Sequence, residues 1–167
     1  MKKVLLLALI ALSGFAEIIQ DNLDEIENKM LEKSTGEQIA KKLTKKMNKN
    51  LPRKEDDFFE TLSVQNDGKT IISLIRIYNE DEEIKNEIQE NKQEIIKKLY
   101  EQNKELFCTV PSMKKIIYQK EINFTYFIND SKGRYIGGYE IKKEDCEEVE
   151  KKIKEEKKEG KKKAPLI

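Results

Sequence analysis

The chain contains no histidine and no tryptophan, and only two cysteines and three prolines. Without histidine, every His-based catalytic triad is excluded, together with the usual general base near neutral pH and the commonest metal ligand. Ser112 and Ser131 have no Gly-x-Ser-x-Gly elbow around them, which argues against a serine hydrolase. Gly133, Gly137 and Gly138 do not follow phosphate-loop spacing. Asn129, Asp130 and Ser131 lack the spaced ligands and terminal Glu of a calcium loop, and a hairpin turn explains them better. The expectation is therefore no cofactor and no metal. Charge imbalance is missing too. Lys and Arg total 33 against 32 Asp and Glu, a net +1, so no global field draws the chain to nucleic acid or anionic lipid.

Long apolar runs are absent except at the start. Met1 is followed by Lys2 and Lys3, then Val4 to Leu12 is unbroken Val, Leu, Ile and Ala, and Gly14 and Ala16 are the small residues a signal peptidase reads. Residues 1–16 read as a signal peptide cleaved after Ala16. A retained anchor would need roughly 20 apolar residues, and the run turns polar at Glu17. Leu12-Ser13-Gly14 resembles the start of a lipoprotein box, but Phe15 stands where that box requires Cys. The mature chain is then periplasmic or secreted, without an integral membrane segment, and loss of Lys2 and Lys3 takes its net charge from +1 to −1. The richness in Lys, Glu, Ile and Asn fits an AT-rich bacterial coding sequence.

In an exported chain, an even cysteine count reads as a disulfide. Cys108 and Cys146 stand 38 residues apart, and closing such a loop stabilises by about 4 kcal/mol in the chain-entropy account. Buried free thiols and a redox-active pair are the alternatives. The spacing is unlike the Cys-x-x-Cys of redox catalysts.

At 37% hydrophobic and 39% charged residues, the chain has material for one modest core ringed by solvated helices. Residues 17–33 read as an N-terminal helix, with Ile19, Leu23, Ile26 and Met30 on one face. An α+β domain over 34–146 follows. Ser34-Thr35-Gly36-Glu37 fits a capping box, starting a helix with Ile39, Leu43 and Met47 inside, and Leu51-Pro52 stops it. Asp67-Gly68 sits between the strand-like runs Thr61–Gln65 and Thr70–Tyr78, a hairpin signal. The second run is apolar on both faces, so it belongs in the middle of a sheet. Asn79 and Asp81 are candidate caps for one long helix over about 81–107, carrying Ile84, Ile88, Ile95, Leu99 and Leu106. A coiled coil would need more unbroken heptads than Asn91 and Gln102 allow.

A short helix from Pro111 to Tyr118 comes next. The strand Glu121–Asn129, with Ile122, Phe124, Tyr126 and Ile128 on one face, turns at 129–133 into a partner strand, Arg134–Lys142. Gly137 and Gly138 suggest a bulge there or the close approach of another element. Residues 147–167 read as a charged Lys/Glu helix, docked only by Val149 and Ile153, with a frayed end from Gly160. The four strands are expected to form one antiparallel sheet packed on the long helix.

Two sets of residues are candidate sites. Tyr118, Tyr126, Phe127, Tyr135 and Tyr139 cluster on and near the second hairpin, where tyrosine suits a protein interface; cross-strand packing is the plain alternative. Asp56 and Asp57, flanked by Glu55 and Glu60, are the best carboxylate cluster, and paired carboxylates can cleave glycosidic bonds; a solvated loop is the plain alternative.

Several of these features occur together: a helix ending in Asn48 and Leu51-Pro52, a strand pair, a helix ending in Cys108 with Pro111 beyond, a Tyr126/Asp130/Gly133 hairpin, and a closing Cys146. In this the chain resembles a loosely defined group of small uncharacterised exported bacterial proteins, over roughly residues 37–146. The resemblance implies no activity. The function expected is a non-enzymatic protein-interaction module of the periplasm or envelope: an inhibitor, an immunity-type protein or an accessory subunit, with another protein as partner. Alternatives are an envelope-polymer hydrolase acting through Asp56 and Asp57, and a carrier of a small apolar ligand, which needs a cavity between helix and sheet.

Overall fold

A computed structural model describes residues 32–55, 58–78 and 82–162. The proposed leader, the helix proposed over 17–33 up to Leu31, Asp56, Asp57, and the proposed caps Asn79 and Asp81 all lie outside these residues. So do residues 163–167.

The first described helix, α1 (Gly36–Met47), starts at a capping box one residue later than the sequence suggested. Thr35, not Ser34, is the cap. Its Oγ1 accepts from the Gln38 amide (3.3 Å), and Gln38 Oε1 accepts from the Thr35 amide (3.0 Å). Ile39, Ala40, Leu43 and Met47 recur at helical spacing and are buried. Past a 3-10 turn, Asn48–Asn50, and the cis Leu51–Pro52 bond, the chain enters β1 (Arg53–Lys54) and β2 (Phe59–Asp67). Asn48 ties α1 to the sheet. Its carboxamide donates to the Thr44 carbonyl (3.0 Å) and the Val64 carbonyl, and accepts from the Val64 amide (3.1 Å).

Gly68, at φ 55°, makes the expected turn from β2 into β3 (Thr70–Ile77). The region expected to be one long helix is two, α2 (Glu82–Glu90) and α3 (Lys92–Thr109). They break at Asn91, which leaves helical geometry (φ −116°, ψ 26°) while its side chain donates to the Glu87 carbonyl (3.0 Å). Then come α4 (Pro111–Lys120), β4 (Asn123–Asn129), β5 (Tyr135–Ile141) and α5 (Lys143–Lys162).

The fold class is α+β as expected, but the sheet differs in two respects. It has five strands rather than four, in the order β1-β2-β3-β4-β5, because Arg53 and Lys54 pair with Thr61 and Glu60. It is mixed rather than antiparallel. β3 and β4 run parallel from Thr70/Asn123 to Arg76/Asn129, because α2, α3 and α4 form a crossover between them. β3 is the central strand, as its two apolar faces suggested.

One face of the sheet carries the core. Ile71, Ser73 and Ile75 of β3 lie level with Phe124, Tyr126 and Ile128 of β4, and these six and Ile77 are buried. Every described helix contributes buried residues to this single cluster: Leu43 from α1, Ile88 from α2, Leu99 and Phe107 from α3, Ile116 from α4 and Cys146 from α5. The opposite face holds Ile72, Leu74, Arg76, Thr125 and Phe127.

Candidate functional site

β5 ends the sheet, so one side of its backbone has no strand partner among the described residues. The opposite edge is blunted, because β1 is only two residues long. β5 has seven residues, an open edge of about 23 Å at strand rise. Helix α3 runs alongside it on the core face. Between them lies a groove of about 670 Å³, open to solvent along the strand. Its apolar surface comes from Ile96, Tyr100, Ile136 and Tyr139, and Gln93 and Lys97 form its rim.

Three features fix the walls. Gly137 lies opposite Ile128, on the core side. A Cβ there would stand 2.7 Å from Ile96 Cγ1, so glycine is what lets α3 come this close. This is the close approach that the Gly-Gly pair suggested, and the register irregularity lies beside it, between Ile128 and Asn129. The second feature is Asp145, in the first turn of α5, which ties α3 to the junction between β5 and α5. One carboxylate oxygen accepts from the Tyr100 hydroxyl (2.5 Å), and the other accepts from the Lys142 amide (2.9 Å) at the helix start. The third is the cysteine pair. Cys108 and Cys146 stand at disulfide-bonding distance with Cα atoms 4.9 Å apart, both buried. They join the last turn of α3 to the first turn of α5. The sequence placed Cys146 just beyond the last strand and started the charged helix at 147; the structure starts α5 at Lys143 and puts Cys146 inside it.

Behind the groove is an aromatic and polar stack. Tyr139 meets Tyr100 edge-on (centroids 5.9 Å) and stacks on Tyr126 (5.0 Å), and Phe107 meets Tyr126 edge-on (6.3 Å). The buried Asn103 donates to the Tyr139 hydroxyl. Lys104 is 3% exposed, yet its ammonium reaches Glu101 (3.0 Å) and Glu148 (3.5 Å) and lies 4.8 Å from the Tyr100 ring centre. Burial, then the Asp145 carboxylate, push the Tyr100 phenol up. Burial does the same to Tyr139 and Tyr126. All three stay neutral at physiological pH; the Tyr100 hydroxyl donates to Asp145, the Tyr139 hydroxyl accepts from Asn103, and their rings supply apolar area.

The five aromatic residues marked as a partner surface therefore separate. Tyr126 is fully buried and Tyr139 packs against the core, because their strand positions point to the helices. Tyr118 is half-buried on α4, where burial and then Glu150 push its phenol up. Only Phe127 (42%) and Tyr135 (61%) are exposed, with ring centres 6.4 Å apart. Tyr135 also lines the groove. Ile96, Tyr100 and Asp145 were not singled out from sequence; the Gly137-Gly138 pair was the signal that an element comes close here.

Of the acidic cluster, the flanking residues have structural partners. Glu55 accepts from Thr61 Oγ1 (2.7 Å) and pairs with Arg53 (3.0 Å), and Glu60 pairs with Arg76 across the β2–β3 ladder. Asp130 is the turn organiser of the second hairpin. It accepts from the amides of Lys132 (2.9 Å) and Arg134 (2.8 Å), from Arg134 Nε (2.7 Å) and from Gln89 Nε2 (3.0 Å). Burial raises its carboxyl, but the Arg134 and Lys132 donors outweigh burial and hold it below the usual range. A small cavity of about 60 Å³ beside it is lined by Gln89, Ser131 and Lys132 among others. That is far smaller than a small-molecule carrier needs. Among the described residues, no cluster of His, Cys, Asp or Glu could hold a metal ion, and no helix is long and apolar enough to cross a membrane.

This fold is shared. A candidate secreted protein from Pseudomonas aeruginosa matches over 66% of this chain and 92% of its own, with a TM-score of 0.53 and 12% sequence identity. At that identity the shared property is the fold. Two type 2 secretion system pilotins match with TM-scores of 0.45. One is EpsS from Vibrio vulnificus, at 10% identity over 66% of this chain and 91% of its own. The other is AspS from Vibrio cholerae, at 14% identity over 66% and 92%. No protein-family model and no curated protein matches the sequence.

Proposed function

We propose that the chain is an exported, non-enzymatic protein-interaction module of the bacterial periplasm or envelope, acting as an inhibitor, an immunity-type protein or an accessory subunit. Its partner is a polypeptide segment seated in the groove between α3 and the edge of β5 that has no strand partner among the described residues. The observation that carries this reading is the groove itself: a seven-residue open strand edge beside an apolar floor of Ile96, Tyr100, Ile136 and Tyr139. A free strand edge offers unpaired backbone donors and acceptors, and an extended segment can match them while neighbouring pockets take its alternate side chains. The groove is open along its length, which suits a chain better than an enclosed small molecule. The buried Lys104, the Tyr100–Asp145 bond and the Cys108–Cys146 pair fasten α3 to α5, and Asn103 and Tyr100 meet Tyr139 of β5, so little ordering is left to be done on binding. The early run Met1–Ala16 supports export.

The test is photo-crosslinking in the native bacterium. A photoreactive residue is placed at Gln93 or Lys97 on the groove rim, or at Lys41 or Lys45 on the exposed side of α1. One discrete adduct with an envelope protein is expected from the rim positions and not from α1. Equal adducts at all four, or none at any, refutes the reading.

A further inference from the structure

The core of this molecule lies on one face of the sheet. The other face has an apolar centre that none of the described helices shares. Ile72 and Leu74 of β3 lie there, with Phe127 directly opposite Leu74 and Tyr135 beside Phe127. Ile72 and Leu74 are half-buried and neither joins the core cluster nor packs against it. Phe127 and Tyr135 are the large hydrophobic residues that remain exposed among those described. Glu60 paired with Arg76 lies at one end of this face and Gln65 and Thr125 at the other. A sheet face with an apolar centre and a polar border is stable when another element covers it.

We infer that residues 17–31 of this chain are that cover, lying as an amphipathic helix on the outer face with Ile19, Leu23, Ile26 and Met30 turned toward Ile72, Leu74, Phe127 and Tyr135. Three observations converge on this occupant. The first is where the chain enters. Lys120 Nζ donates to the carbonyls of Glu32 (3.3 Å) and Ser34 (3.0 Å). A Cβ on Gly36 would stand 3.3 Å from Lys69, whose carbonyl accepts from the Asn123 amide (3.2 Å). Residue 32 is thus held at the end of the sheet where β3 and β4 begin.

The second is length. Fifteen helical residues reach about 22 Å, which matches the roughly 23–26 Å of strands seven and eight residues long. A helix starting back from Glu32 along β4 ends near Tyr135. The third is pattern. Ile19, Leu23, Ile26 and Met30 recur at four, three and four, with Ile18 and Leu31 flanking the stripe, while Asp21, Asp24, Glu25 and Asn28 fill the other side. One apolar stripe and one apolar face, joined by three residues of anchored chain, complete each other. Tyr135 stands where this face meets the α3–β5 groove, but Ile72, Leu74 and Phe127 do not line that groove, so the inference does not depend on the groove's partner.

The full mature chain carries the test. Ile26→Cys with Leu74→Cys is compared with Asp24→Cys and Leu74→Cys, whose first cysteine lies on the polar side. Non-reducing peptide mapping is expected to find a second, intramolecular bond in most molecules of the first pair and in few of the second. Two freely alkylated thiols in the first pair overturn the inference. So do disulfide-linked dimers, which would give the face to a second copy. Hydrogen exchange on the unaltered chain is the independent arm. Amides of residues 19–31 are expected to exchange at least about tenfold more slowly than an open chain. Exchange at the open-chain rate overturns the inference whatever the cysteine variants do.

Discussion

Gly137 and Gly138 are neighbours in one strand, yet the structure assigns them different costs on substitution. A mid-strand glycine replaced by alanine ordinarily gains about 0.5–1 kcal/mol, because the unfolded chain loses freedom. At Gly137 the new Cβ would sit 2.7 Å from Ile96 Cγ1 and 3.1 Å from Cδ1. Ile96 is β-branched and has little rotamer freedom on a helix, so α3 must move outward. Overpacking of this kind costs about 1–3 kcal/mol, and Gly137→Ala should destabilise by about 1–2 kcal/mol net. At Gly138 the obstacle is the Tyr126 carbonyl oxygen at 2.5 Å, which is backbone and cannot turn aside. Gly138→Ala should cost about 3 kcal/mol. Ile96→Ala removes the first obstacle and leaves the second. Combined with Gly137→Ala it should recover about 1 kcal/mol relative to the sum of the single changes, whereas combined with Gly138→Ala it should recover nothing. Urea denaturation with a shared slope reads all five variants. A Gly137→Ala that stabilises the chain, or a cycle that is additive at Gly137 and coupled at Gly138, refutes the placement of α3 against β5.

Replacing Cys108 and Cys146 together by alanine should lower stability by about 4 kcal/mol; unfolding curves of the variant and the oxidised chain that coincide would count against the link. Asn48→Ala leaves the Val64 amide and carbonyl without their partner, and a loss of about 2–3 kcal/mol is expected in thermal or urea unfolding; a loss under 0.5 kcal/mol contradicts the bridge. Asp130 has a depressed carboxyl, so its contribution is complete above the unfolded carboxylate value of about 4 and fades as pH falls below it. Asp130→Asn should be less stable at pH 7 and should flatten the acid limb of a stability–pH curve below about pH 4; an unchanged limb rules the carboxylate out as its source.

Turn chemistry was readable directly: Asp67-Gly68 and the Asp130-to-Gly133 turn mark both hairpins, and Gly68 and Gly133 adopt positive φ as such turns require. The β3–β4 pairing was not readable, because it is set by how three helices pack between the strands rather than by residues near either one. The break at Asn91 has no Gly or Pro to announce it. β1 is two charged residues whose only strand signal is the neighbour they pair with. The structure divides the five aromatic residues between the core and the surface, for a reason present in the sequence itself. Strand alternation already put Phe124, Tyr126 and Ile128 on one face, which is the buried one, and therefore Phe127 on the other. Tyr135 and Tyr139, four apart, would share a face in a regular strand; the irregularity after Ile128 separates them, leaving one at the surface and the other against Asn103.

The most direct examination of the central claim is hydrogen exchange on the native chain, alone and bound to whatever envelope protein the rim crosslinks capture. The account predicts that binding slows exchange in Tyr135–Ile141 and along Gln93–Tyr100, with α1 unchanged. Slowing confined to α1 or α5, with the β5 amides exchanging as fast as before, would contradict it.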